Sequence, residues 1–146
     1  MLHTRRTHVG DLQFLWELHE KTFRTYVEAT WGWDEPWQRQ NFRDTRDLSR
    51  YEIIVRKGQD IGCIRIDDQQ DLLFLDYIAL LPKYQNQGFG TELVREILTR
   101  AARRGVPVRL RILKVNPARA LYERLGFQVV GGDEFRHYME ANPKTG

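Results

Sequence analysis

Residues 80–91 read Leu80-Leu81-Pro82-Lys83-Tyr84-Gln85-Asn86-Gln87-Gly88-Phe89-Gly90-Thr91 and contain the change of pattern that sets the architecture of this chain. The run from Leu72 to Leu81 is the most apolar in the sequence and predicts a central, buried strand. From Gly88 to Arg104, apolar residues recur every three or four positions, which predicts an amphipathic helix. A strand therefore leads through a short loop into a helix that begins at two glycines.

This glycine-rich helix start predicts a binding site for a pyrophosphate. The first N–H groups of a helix have no intrahelical partners, and the helix dipole adds positive charge at the same end. Glycine removes the side chains that would keep a phosphate away. The spacing matches neither GxxxxGK[ST] nor GxGxxG, which disfavours a P-loop or a Rossmann unit. A tight turn packed closely against a neighbour is the structural alternative.

Upstream, the pattern predicts two helices and then an antiparallel meander. Asp11 is suited to cap a first helix, which ends before Gly32. Asp34-Glu35-Pro36 predicts the start of a second helix. Three strands follow, with a hairpin turn between the first two: residues 51–55, 61–67 and 72–81.

Downstream, a strand–helix–strand crossover connects residues 72–81 to a strand at Val108–Val115 and requires one parallel pair. A further helix is predicted to start at Asn116-Pro117 and to run to Leu125. Two last strands cover residues 127–130 and 134–139. The predicted fold is α/β of the α+β type. A single domain, residues 1–146, contains a mixed, mostly antiparallel sheet with one parallel strand pair, flanked by helices.

Composition excludes several classes of protein. With 41% apolar and 29% charged residues, 146 residues are enough for one folded domain. No apolar run approaches the roughly 20 residues that cross a bilayer, and no secretory signal is recognisable, so we expect no membrane association. The single cysteine, Cys63, excludes an internal disulfide and a cysteine-cluster zinc site. We predict a cytoplasmic protein that binds no metal.

Positive charge is concentrated in one segment. Residues 95–124 contain nine Lys and Arg residues against two acidic ones, a local charge of +7, whereas the rest of the chain carries −4. A segregated positive region attracts polyanions, so nucleic acid and a multiply phosphorylated cofactor are both candidate partners. A solvated, arginine-rich helix face is the alternative.

Two motifs together resemble the GCN5-related N-acetyltransferase (GNAT) family. Gln85-x-x-Gly88-x-Gly90, preceded by an apolar strand and Pro82, looks like the acetyl-CoA motif of that family. Residues 116–127, NPARALYERLGF, resemble its other common stretch. The two motifs lie in the expected order, and the predicted elements match the family from about Thr7 to Met139.

The resemblance implies an enzyme that transfers an acetyl group from acetyl-CoA to an amine. It implies that Tyr122 protonates the departing thiolate, since a phenol with a reference pKa of about 10 keeps its proton at neutral pH. The alternative for Tyr122 is a buried aromatic on an amphipathic helix. Arg95, Arg119 and Arg124 are candidate contacts for the cofactor phosphates. The residues implied to bind the cofactor are Ile78, Ala79, Leu80, Gln85, Asn86, Gln87, Gly88, Phe89, Gly90, Thr91 and Asn116.

In this family the first two helices and their connection usually form the acceptor wall. Aromatic residues with nearby carboxylates suit a cationic amine, so the predicted acceptor is a small-molecule or amino-acid-like amine. The tryptophans of the connection have two alternative roles, which are to anchor the loop on the core or to bury a dimer contact. The predicted substrate-binding residues are Tyr26, Glu28, Trp31, Trp33 and Asp34.

The acceptor amine must lose a proton before it attacks. Asp76 is the first candidate base because it shares strand parity with Ile78; the alternative is a buried carboxylate paired with an arginine. The other candidates are Glu28, Asp34, Glu35 and His19.

Two other functions stay open at this point. The first is a CoA-binding regulatory domain without turnover, against which Tyr122 argues. The second is a nucleic-acid-binding module, which we rank low because no helix-turn-helix, zinc-finger or RNP pattern is present. We therefore expect no nucleic-acid partner, and a homodimer is left open.

Overall fold

The computed structural model describes residues 2–143. The helices are α1 (Leu12–Trp31), α2 (Glu35–Thr45), α3 (Phe89–Arg104) and α4 (Arg119–Arg124). The strands are β1 (Leu2–Arg6), β2 (Glu52–Arg56), β3 (Gln59–Asp68), β4 (Leu73–Leu80), β5 (Val108–Leu113), β6 (Gln128–Gly132) and β7 (Arg136–Ala141). Within this part of the chain, no helix combines the length and the apolarity needed to cross a bilayer.

The strands form one mixed sheet in the order β1-β2-β3-β4-β5-β7-β6. β4 and β5 pair in parallel over three residue pairs, from Leu73–Val108 to Leu75–Leu110. The pairs β1–β2, β2–β3, β5–β7 and β6–β7 are antiparallel. The predicted fold class, a mostly antiparallel sheet with one parallel pair and flanking helices, is therefore confirmed.

The contacts of the chain fall into two compact units. The first comprises the chain up to Arg65 together with Tyr77–Gln85, and the second comprises Ile66–Asp76 together with the chain from Asn86 onward. In the first unit, α1 and α2 pack their apolar faces on β2, β3 and the end of β4. The buried core of this unit consists of Leu15, Trp16, Leu18, Phe42, Tyr51, Ile53, Val55, Cys63 and Ala79.

The second unit is organised by α3 and β5. The apolar stripe predicted for α3 is buried, and β5 alternates as predicted, with Val108, Leu110 and Ile112 buried and Arg109 and Arg111 exposed. Gly105 ends α3 in a left-handed conformation, which glycine adopts without steric cost. The buried residues of α3 are Leu93, Val94, Ile97 and Ala101.

The N-terminal segment departs from the prediction. Leu2–Arg6 forms β1 and pairs with β2, although its charges gave no strand signal. Asp11 does not cap α1 with its side chain. Instead its carboxylate accepts from the His8 backbone N–H at 2.9 Å and pairs with Arg5 at 2.8 Å. The salt bridge to β1 therefore takes the place of the predicted cap.

The region after β5 also differs in its boundaries. β5 ends at Leu113, two residues earlier than predicted. Asn116 does not open α4 directly, because its Oδ1 accepts from the Ala118 N–H at 2.9 Å and holds a turn. α4 begins at Arg119, and Gly126 follows its end with a φ of 99°. β6 and β7 lie one or two residues further along the chain than predicted.

Candidate active site

The backbone before α3 is shaped to expose the start of the helix. Asn86 and Gly88 have φ values of 60° and 85°, in the left-handed region. Gly88 is the residue that precedes the first helical turn, and as a glycine it supplies no side-chain cap. The first N–H groups of a helix have no intrahelical partner and are suited to bind an anion. The pyrophosphate site at this helix start stays a prediction.

Gly90 has no packing reason to be glycine. A Cβ built at this position would meet only the Leu121 Cδ2, at an ordinary contact distance of 3.9 Å. A glycine inside a helix costs roughly 1 kcal/mol relative to alanine. The contrast is Gly62, where a Cβ would lie 2.2 Å from the Ala79 carbonyl oxygen, so close packing requires glycine there. Packing therefore leaves the glycine at position 90 unexplained.

A groove of about 710 Å³ runs along the exposed side of α3 from Gly88. Arg95, one of the predicted phosphate contacts, lines it close to the helix start, beside Thr91. The groove is not uniformly positive, because Glu92 and Glu96 also line it. A phosphate at the helix start would therefore have Arg95 as its nearest arginine on the groove.

The charge segregation seen in the sequence is reduced in three dimensions. Arg100 and Arg104 both pair with Asp68, and Arg109 pairs with Glu140. Both acidic partners lie outside residues 95–124. A further predicted phosphate contact, Arg119, pairs with Glu123 at 2.5 Å. Four of the nine basic residues of the segment are therefore in these ion pairs, and the two acids from outside it offset part of the local charge of +7.

The end of β4 contributes backbone rather than side chains. Ala79 and Leu80 are buried, and Ile78 is half-buried. Gln85 donates its Nε2 hydrogen to the Leu80 carbonyl at 2.9 Å, which ties the loop to the strand end. This bond gives Gln85 a structural role, and its predicted contact with the cofactor stays a prediction, as do the contacts of Asn86 and Gln87.

Tyr122 is held in the second unit by burial. It is 6% exposed, and its ring lies 5.5 Å from that of Phe127 in an edge-on arrangement. Burial raises the pKa of Tyr122 to about 12, so the phenol stays protonated at neutral pH. Its hydroxyl has no hydrogen-bond partner within residues 2–143. The position suits both a proton donor and a packed aromatic, which were the two readings from sequence.

The predicted acceptor residues are divided between exposed and packed positions. Trp31 is 48% exposed at the end of α1, whereas Trp33 packs on the core with its ring 6.0 Å from that of Trp16. Asp34 caps α2 by accepting from the Trp37 N–H at 3.1 Å. Glu28 lies 3.8 Å from the Arg24 guanidinium on the exposed side of α1. Trp33 therefore has the loop-anchoring role, whereas an acceptor contact of Trp31 stays a prediction.

The candidate bases differ in environment. Asp76 lies in β4, half-buried, at the strand parity predicted. Burial and the nearby Arg46 charge lower the pKa of His19 to about 3, which makes it a poor base at neutral pH. Burial and a hydrogen bond with Glu35 raise the pKa of Glu20, a residue that sequence reasoning missed. Glu20 lies on α1 and Glu35 on α2, so this raised pKa arises only when the two helices pack together.

A second group that sequence reasoning missed surrounds Arg46, the residue that follows α2. The Arg46 guanidinium carbon lies 4.5 Å from the Phe42 ring centre, 5.1 Å from that of Tyr77 and 5.5 Å from that of Tyr51. Its Nη1 donates to the Tyr51 hydroxyl at 2.7 Å, and its Nη2 lies 3.3 Å from His19 Nδ1. We call these five residues, His19, Phe42, Arg46, Tyr51 and Tyr77, the Arg46 cluster.

With this geometry in place, the chain can be compared with known proteins. A sequence model of the Acetyltransferase (GNAT) family matches residues 12–127. This chain belongs to the GNAT acetyltransferase family. The match includes α3 and its glycines, as well as Tyr122 on α4, and it confirms the resemblance drawn from the two motifs.

Among curated proteins, this GNAT chain is 35% identical over 78 residues to [Ribosomal protein bS18]-alanine N-acetyltransferase of Haemophilus influenzae. The alignment covers 53% of each protein, so the chain spans about half the length of that relative.

Solved structures share the fold. PaiA N-acetyltransferase from Thermoplasma acidophilum, in complex with coenzyme A, superimposes with a TM-score of 0.78 at 18% identity over 97% of this chain and 99% of that one. The ribosomal-protein-S18-alanine N-acetyltransferase from Escherichia coli gives a TM-score of 0.68 at 22% identity, over 100% of this chain and 97% of that one.

Proposed function

We propose that this GNAT protein is an N-acetyltransferase that transfers an acetyl group from acetyl-CoA to a primary amine of a small-molecule or amino-acid-like acceptor. The observation that carries the proposal is Gly90 at the start of α3, where a side chain would meet no packing obstacle. In this proposal the amides of Asn86–Thr91 bind the pyrophosphate, with Arg95 beside them. A structural neighbour that contains coenzyme A supports the choice of ligand.

The other cofactor contacts are proposed from the family resemblance. Backbone groups of Ile78, Ala79 and Leu80 serve the pantetheine arm and the thioester carbonyl, and Asn116 bonds the arm with the amide hydrogens that its turn leaves available. When bound, acetyl-CoA supplies the activated acetyl group. A backbone N–H that is fixed in β4 stabilises the negative charge that develops on the carbonyl oxygen, and one such donor contributes roughly 100- to 1,000-fold in rate.

Tyr122 protonates the departing thiolate in this proposal. Its pKa of about 12 keeps the proton available, but donation to a thiolate with a reference pKa of about 8.5 is uphill by about 5 kcal/mol. Apolar surroundings raise the pKa of a thiolate as well, because burial disfavours its charge. The role of Tyr122 therefore depends on a thiolate that is desolvated to a similar degree.

The acceptor side of the proposal assigns proton removal to Asp76, directly or through water. Tyr26, Glu28, Trp31, Trp33 and Asp34 are the predicted acceptor wall. Since one relative is named for acetylating an alanine of a ribosomal protein, an α-amine on a peptide belongs among the acceptors to be tested.

The test is thiol release from acetyl-CoA with a panel of simple amines, amino acids and an alanine-initiated peptide. The only cysteine, Cys63, is buried, and burial raises the pKa of its thiol to about 12, so the protein adds little background to a thiol reagent. We expect amine-dependent release by the wild-type protein.

Two other outcomes would contradict this function. CoA binding without release for any amine would favour a regulatory domain. Salt-sensitive binding to duplex DNA or RNA, without CoA binding, would favour the nucleic-acid module.

A further inference from the structure

Arg46 is a half-buried cation without a carboxylate. Within residues 2–143, no Asp or Glu oxygen lies within ion-pair distance of its guanidinium. Of the five other half-buried arginines of the first unit, three are seen to contact acids: Arg5 pairs with Asp11 and Asp60, Arg24 with Glu20, Glu28 and Glu35, and Arg39 with Glu35. Charged groups are seldom buried without a partner, because desolvation of an ion is costly. Arg46 therefore differs from these three arginines, because aromatic rings, a hydroxyl and an imidazole surround it in place of a carboxylate.

The neighbours of Arg46 do not neutralise it. Because a guanidinium has only donors, His19 Nδ1 must accept, so His19 is the neutral tautomer that carries its hydrogen on Nε2. Burial raises the pKa of Tyr77 above its usual range, and Cys63 is likewise held protonated. The Arg46 cluster therefore keeps a charge of +1 at neutral pH.

The guanidinium retains hydrogens for a ligand. Of its five N–H donors, one reaches the Tyr51 hydroxyl and one reaches His19 Nδ1, which leaves three. Tyr51 and Phe42 are buried, whereas His19, Arg46 and Tyr77 are each partly exposed, so the cluster is not fully enclosed by the core. A planar fork of this kind matches a carboxylate in a bidentate arrangement.

The same charge disfavours an acceptor that is only a cation. A protonated amine approaching Arg46 meets a like charge in apolar surroundings, where repulsion is stronger than in water. An acceptor that brings its own carboxylate replaces this repulsion with an ion pair. We propose that the acceptor amine carries a carboxylate and that Arg46 binds it, an inference that rests on the acetyl transfer proposed above. Arg46 is thus a specificity-determining residue of the first unit.

The experiment measures acetyl transfer to pairs of amines that differ only as acid and amide: glycine and glycinamide, L-glutamate and L-glutamine, and 4-aminobutyrate and 4-aminobutyramide. The pairs vary the distance between amine and carboxylate. We expect at least one acid to exceed its amide at least tenfold in kcat/KM, mainly through KM. Arg46→Gln should lower kcat/KM for the acid and so remove this ratio. Arg46→Lys should retain part of the ratio, since lysine keeps the charge but lacks the planar pair of N–H donors.

The matched control is Arg43→Gln. Arg43 lies three residues earlier, exposed in the last turn of α2, and its replacement should leave the acid-to-amide ratio unchanged. Ratios near one for every pair with the wild-type protein, or an unchanged ratio in a folded Arg46→Gln variant that still binds CoA, would overturn the proposal while leaving acetyl transfer intact. If no amine of either kind releases thiol, acetyl transfer itself fails, a result distinct from the loss of a preference.

Discussion

The start of α3 and the Arg46 cluster both present donors to an anion, but the donors have different origins. At α3 they are backbone N–H groups, exposed by glycines within one short segment. In the Arg46 cluster they are side-chain N–H groups, positioned by residues from α1, α2, the segment before β2, and β4. A site built from contiguous backbone leaves a motif in the sequence, whereas a site assembled from separated side chains does not.

In the proposals above, proton donation depends on Tyr122 of the second unit and acceptor choice on Arg46 of the first, and Tyr122→Phe tests that separation with the largest expected effect. Loss of a general acid should lower kcat about 100- to 10,000-fold. The acid-to-amide preference and the acceptor KM should not change, because Tyr122 belongs to the other unit.

Steady-state kinetics with the preferred amine check this prediction. Tyr138→Phe is the control, since Tyr138 lies on β7 and its hydroxyl donates to the exposed Asp133 at 3.0 Å. An unchanged kcat in Tyr122→Phe would show that Tyr122 is only a packed aromatic.

Two glycine substitutions sharpen the comparison at the backbone site. Gly90→Ala should stabilise the fold by up to about 1 kcal/mol, because the new Cβ meets only Leu121. The same change should weaken CoA binding at least tenfold if phosphate approaches this backbone. Gly62→Ala should instead destabilise the protein by about 3 kcal/mol or more, because its Cβ would clash with the Ala79 carbonyl.

Urea unfolding and calorimetric CoA titration measure the two effects separately. Gly90→Ala with unaltered CoA affinity would remove the argument that a ligand explains this glycine.

The charge assigned to the Arg46 cluster has a consequence for pH stability. His19 titrates near 6.5 when unfolded and near 3 when folded, so between these values the unfolded chain binds the extra proton. Stability from this residue is therefore complete above pH 6.5 and falls as the pH drops, by about 2 kcal/mol between pH 6.5 and 4.5. Urea denaturation of the wild-type protein and His19→Gln over this range should show a shallower pH slope for the variant. Equal slopes would mean that His19 is not held neutral beside Arg46.

The smallest expected effect concerns the ion pairs of the second unit. Asp68→Asn leaves Arg100 and Arg104 without their shared acid, and Arg100 lines the groove on α3. CoA affinity should rise by less than about threefold at low salt and not at high salt, because exposed charges are screened. A larger, salt-independent change would indicate that Asp68 organises the groove itself.

The sheet and the crossover could be predicted from the sequence because each depends on local periodicity, whereas the α3 site, predicted from one motif, stays a prediction. β1 was missed because its residues, LHTRR, are held by pairing with β2 and by the Arg5 ion pairs rather than by apolar alternation. The Asp11 cap was wrong for the same reason, since a distant arginine competes for that carboxylate.

The Arg46 cluster could not be predicted from the sequence. An arginine that follows a helix has no distinguishing pattern, and Tyr51 and Tyr77 come next to Arg46 only in the folded chain. Counting the charges of one segment missed its ion pairs for a related reason. The partners of Arg100, Arg104 and Arg109 come from other parts of the chain.

The central claim is that the start of α3 binds the phosphates of CoA, and calorimetric titration with CoA and with pantetheine, which lacks those phosphates, tests it most directly. The account predicts saturable binding of CoA and binding of pantetheine at least 100-fold weaker. Equal affinity for the two molecules, or no binding of CoA by folded protein, would contradict it.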